Sequence, residues 1–60
     1  MNLDKMELAI LEEIINEEIF SYLDSGYSLN DEYVIRLRNL LKKFNLKEVY
    51  NFNKRFGEDK

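Results

Sequence analysis

The chain has no cysteine, histidine, proline or tryptophan, and its longest apolar run is the four residues Leu8-Ala9-Ile10-Leu11. Without cysteine there is no disulfide, thiolate ligand or redox pair. Without histidine the usual zinc sites and the usual proton shuttle near neutral pH are missing as well. Four apolar residues fall far short of the roughly 20 that span a bilayer, and no basic segment precedes them, so a soluble, cytoplasmic protein without a membrane partner is expected. Glycine occurs only at Gly26 and Gly57. With so little to interrupt the backbone, an all-α fold is the natural expectation.

What remains is 60 residues, 45% hydrophobic and 35% charged, with a formal net charge of −3. That is too much Ile, Leu, Phe and Tyr for a disordered tail. A single domain of this size buries only about 60% of the surface its unfolded chain exposes, so a lone copy is marginally stable. With no disulfide or metal to staple it, self-association is the expected support. The mild acidity argues against a binder that grips nucleic acid through phosphates alone.

Three start signals divide the chain. Asp4 reads as an N-cap with Glu7 three residues on, the spacing of a capping box, with Leu3 placed to staple onto Leu8. A first helix is predicted over 5–25 and stops at Gly26, which enters a left-handed conformation at little cost. Asn30, with Ser28 competing, reads as the cap of a second helix over 31–44. Asn45, with Glu48 three residues later, reads as the cap of a third over 46–56; one bent helix over 31–56 is the alternative. The last four residues, 57–60, are expected to fray. Leu11, Ile15, Ile19, Tyr22, Leu37, Leu40 and Phe44 are the predicted core.

Projected at 100° per residue, the apolar arc of helix one (Leu8, Ile10, Leu11, Ile14, Ile15, Ile19, Tyr22, Leu23) is wider than one neighbour covers. The expected architecture is an antiparallel helical hairpin with a short third helix, dimerising into a helical bundle through the surplus of that arc. Residues 1–24 carry seven acids against one lysine, whereas residues 25–44 carry four bases against two acids. The two helices are therefore electrostatically matched, each surface pair being worth at most about 1 kcal/mol. Glu18 falls inside the apolar arc and needs a partner; Arg36 is the predicted one, as a structural ion pair within a chain or across the dimer. Phe20, on the polar side among Glu13 and Glu17, reads as an exposed aromatic or as the centre of a second contact.

Catalysis finds little to use. Ser21, Ser25 and Ser28 have no activating base, and there is no glycine-rich phosphate cradle. Glu13 and Glu17 share a helix face, which reads as solvated, and no metal-ligand or cofactor-binding spacing is present. No catalytic, cofactor or metal site is predicted. The leading expectation is a small non-enzymatic regulatory protein, an inhibitor or adaptor of bacterial or phage type, that binds another protein through Glu13, Glu17 and Phe20. The alternative is a helix-turn-helix-like DNA-binding module over 45–56, with contacts from Lys47, Asn51, Lys54 and Arg55. Against it, the apolar positions expected after such a turn are occupied by Asn51 and Lys54. A further alternative is an acidic DNA mimic built on helix one. Over residues 10–44, the glycine after helix one and the short loop into an apolar second helix resemble the small sporulation-initiation aspartyl-phosphate phosphatase hairpins. The Ser-x-x-x-Asp signature of that family is missing from Ile35-Arg36-Leu37-Arg38-Asn39-Leu40, so the likeness implies a hairpin and carries over no catalytic role.

Overall fold

A computed structural model describes residues 3–56. Within them the protein forms three helices, α1 (Lys5–Asp24), α2 (Glu32–Lys43) and α3 (Phe52–Phe56), and no strand. The tail 57–60, predicted to fray, lies outside the described residues.

The start of α1 follows the predicted local chemistry. The Asp4 carboxylate accepts from the Glu7 backbone N–H at 2.8 Å, and the Glu7 carboxylate accepts from the Asp4 N–H at 3.0 Å, which closes the capping box. At its other end Gly26 adopts φ +107°, Gly26 N–H donates to Leu23 O and Tyr27 N–H reaches back to Tyr22 O, each at 3.1 Å. This is a Schellman closure. It is sealed by the Tyr22 and Tyr27 rings, 4.8 Å apart.

Two boundaries differ from the sequence reading. The cap of α2 is Asp31, whose carboxylate accepts from Tyr33 and Val34, and not Asn30. An ionised cap beside the helix dipole outcompetes a neutral one, and the Ser28 hydroxyl instead accepts from Asn30 N–H to shape the loop. The larger correction concerns the third helix, which covers only Phe52–Phe56 and not 46–56. Asn45 does not cap it. With φ at 62°, Asn45 ends α2: Asn45 N–H donates to Lys42 O at 3.1 Å and Leu46 N–H to Leu41 O at 2.7 Å. Asparagine tolerates this left-handed geometry better than most residues, so the same side chain suits a helix end as well as a helix start. Residues 46–51 then run without regular structure.

The core consists of Ile15, Ile19 and Leu23 from α1, Val34, Leu37 and Leu41 from α2, and Phe52. Of the predicted core, Ile15, Ile19 and Leu37 are buried, and Leu11 and Tyr22 are half-buried. Leu40 and Phe44 are corrected: they are 39% and 38% exposed, and Leu41 takes the buried place. The reason is where the C-terminal segment lies. It packs on the Arg38 flank of α2, so the stripe that points inward runs through Val34, Leu37 and Leu41, and Leu40 and Phe44 fall on the opposite flank. α1 packs against α2, and the Cα atoms extend 40 × 18 × 16 Å.

Candidate functional site

The two flanks of the packed α1–α2 pair are unlike each other. On one, residues 46–56 form a strap running parallel to α1. Asn16, fully buried, anchors it: its amide donates to Glu12 O and to Lys47 O, both at 2.8 Å, and its oxygen accepts from Val49 N–H at 2.9 Å. Those two strap groups are the ones an 11-residue third helix would need for its own ladder, which is the physical reason the predicted helix does not form over 46–51. Arg38 grips Glu48 with a forked pair at 2.7 and 3.0 Å. Further along, Phe52 plugs the core. Sequence reading missed Asn16; its position beside Leu23 on the helix projection was the available signal.

Phe20 proves to be the centre of a second contact within the chain. Its ring meets those of Tyr50 and Phe56 edge-on at 4.9 and 5.7 Å, and the Arg55 guanidinium lies 5.6 Å from its centroid. Glu17 accepts from the Tyr50 hydroxyl at 2.7 Å. Glu13 stays exposed, and together with Glu12, Glu17, Val49 and Tyr50 it lines an open groove of about 370 Å³. The predicted trio is thus brought to one side of α1, but the protein's own strap takes Phe20 and one oxygen of Glu17.

The Glu18–Arg36 pair does not form within the chain. Glu18 accepts from the Tyr33 hydroxyl at 3.2 Å, and Arg36 pairs with Glu32 one turn earlier on its own helix at 3.1 Å. The Tyr33 hydroxyl reaches Glu18 from α2, and Arg36 turns toward solvent. The proposed nucleic-acid residues are also redistributed. Lys47 and Asn51 sit in the irregular strap, and Lys54 and Arg55 in a helix of five residues, so the recognition helix expected of a helix-turn-helix is absent among the described residues.

Both tyrosine–carboxylate bonds hold the phenols above their ordinary value of 10.0, chiefly because the hydrogen bond to the carboxylate favours the protonated phenol, with some burial adding to it. For Tyr50 the partner is Glu17, and for Tyr33 it is Glu18. A folded-state value raised above the unfolded one contributes stability that is present below about pH 10 and is lost as the pH rises through the folded value. Alkaline titration followed by tyrosinate absorbance should therefore show Tyr50 ionising late in the wild type, and Glu17→Gln should move that ionisation to lower pH. An unchanged titration in Glu17→Gln would mean that the bond does not persist in solution.

Among the described residues the other flank carries no strap. The Tyr33–Glu18 bond and the mutually tilted rings of Tyr22 and Tyr33, 4.7 Å apart, mark it near the turn. Beyond them α1 carries Ile14, 57% exposed, and the half-buried Leu11, and α2 carries Leu40 and Phe44, 39% and 38% exposed. Among the described residues no helix is long and apolar enough to cross a membrane, and no three acidic side chains gather as a metal site. Comparison with family models, with curated proteins and with solved structures gives no match.

Proposed function

We propose that the protein is a small non-enzymatic regulatory module, an inhibitor or adaptor, that acts as a homodimer and binds another protein through the outer face of α1. The observation that carries this is the first half of that helix. All of its buried residues lie at Ile15 or later, while Met6 and Ile10 are 72% and 52% exposed. Such side chains on a helix that outruns its neighbour are unused apolar surface, and Glu13 and Glu17 border them. Apolar area ringed by acids suits a partner with a basic, amphipathic segment: the apolar contact supplies affinity, and the charge supplies steering and selectivity. Phe20, committed to the strap, is replaced in this role by Met6 and Ile10.

The test is a pull-down from the source cell with wild type, Ile10→Ser and Glu13→Lys, beside a gel shift on random and genomic DNA at about 150 mM salt. A protein retained by wild type and lost with either variant supports the reading. Specific DNA retention that disappears with Lys54→Ala and Arg55→Ala, with nothing captured through Ile10, would replace it by nucleic-acid binding.

A further inference from the structure

We propose that the strapless flank is covered by a second copy of the chain, and that each protomer lays its α1 on the α2 of the other, with Ile14 over Leu40 and Glu18 beside Arg36 of the partner protomer. This rests on the homodimer reading above and adds its geometry.

Two hairpins meeting face to face by a two-fold rotation have two simple choices. An axis running across the helices stacks α1 on α1 and α2 on α2. An axis running along them stacks α1 on α2 in both places and leaves every residue at its own height. Charge separates the choices. The helix-one half of the chain carries side-chain charges of −6 over residues 1–24, and 25–44 carry +2. Stacking like on like sets the Glu7 end of one α1 against the Glu18 end of the other, acid on acid, and the Arg36 end of one α2 against the Lys43 end of the other, base on base. Crossing the helices sets acid against base at both ends of the interface.

The heights agree with the crossed choice. Tyr33 is bonded to Glu18, which fixes the register of the hairpin, and Arg36 lies one turn beyond Tyr33. At unchanged height, Glu18 of one protomer stands level with Tyr33 of the other, with Arg36 one turn away, a distance its long side chain spans. Among the described residues Arg36 is held by an exposed pair with Glu32 and is free to turn toward this position. Ile14 and Leu40, both exposed, are offset by the same single turn further along. They border two shallow depressions, one lined by Leu3, Glu7, Ile10, Leu11 and Ile14 and the other by Arg36, Asn39, Leu40 and Lys43. Specific interfaces bury roughly 800 Å² per partner, the area such a face has to supply. A chain too small to be secure alone gains a second layer of core from it.

Because the chain has no cysteine, introduced thiols report position without interference. Ile14→Cys and Leu40→Cys proteins are prepared separately, mixed under oxidising conditions, and compared with each alone. The expected result is a cross-linked heterodimer in the mixture and little cross-linking in either single variant. Sedimentation of the unmodified protein at about 100 μM should give the dimer mass, weakening as sodium chloride rises from about 0.05 to 1 M. Glu18→Lys should weaken the dimer about tenfold, and adding Arg36→Glu should restore it. Circular dichroism of each variant confirms that the helices persist. Cross-linking of Ile14→Cys with itself, and a dimer that tightens with salt, would overturn the crossed arrangement while leaving the homodimer in place. A monomer at about 100 μM would overturn both.

Discussion

Phe52→Ala should be the most damaging single truncation in the protein, at about 3–5 kcal/mol. Phe52 is fully buried, and among the described residues it is the one core residue that α1 and α2 do not supply. Truncation opens a cavity where the strap enters the core, at a site flanked by the packed side chains of both long helices. Domains of this size seldom have more than about 3–5 kcal/mol in total, so the variant has little or no margin left. Urea unfolding followed by helical circular dichroism measures the loss. Hydrogen exchange at the Val49 N–H, bonded to Asn16, should rise toward the rate of an open segment. A loss under about 1 kcal/mol would mean that Phe52 does not close the core in solution.

The second large effect is expected from Asn16→Asp, a change of one atom. The asparagine amide donates to two carbonyls, Glu12 O and Lys47 O. An ionised aspartate keeps the bond from Val49 N–H but presents a bare carboxylate to those two carbonyls, in a position with no exposure to water. Unpaired buried acceptors cost about 1–3 kcal/mol, and more when charged. A protonated carboxyl recovers one donor. The folded state therefore holds its proton more tightly than the unfolded chain, in which aspartate titrates near about 3.9. Stability of the variant relative to wild type should fall as the pH rises from about 4 through the raised folded value, and the difference should be smallest in acid. Urea midpoints of both proteins at pH 3.5, 5 and 7 test this. A difference that does not change with pH would show that the carboxylate has escaped to water, and with it that Asn16 does not hold the strap.

Both expectations concern a segment that the sequence misdescribes, and the misdescription is instructive. Asn45-Leu46-Lys47-Glu48 has the grammar of a helix start, yet Asn45 closes the preceding helix. The two roles ask for the same short polar side chain, and nothing within four residues on either side distinguishes them. Glu48, which would be the acid of a capping box, is bound instead to Arg38. Phe20 looked stranded on a polar face because its neighbours, Tyr50 and Phe56, lie thirty or more residues away.

The sequence by itself determined the features whose causes are local. These are the all-helical class, the capping box of Asp4 and Glu7, the stop at Gly26, the approximate spans of α1 and α2, and the burial of Ile15, Ile19 and Leu37. Each follows from propensity, cap chemistry or periodicity acting within one or two turns. The tertiary structure alone decided the course of residues 46–51, the partners of Glu18 and Arg36, and which flank of the α1–α2 pair is covered. Those outcomes depend on one buried amide, Asn16, meeting a carbonyl and an N–H more than thirty residues downstream. A buried amide whose bonds are all made is worth more than the weak preference of six residues for helix, and that comparison arises only once the chain has folded.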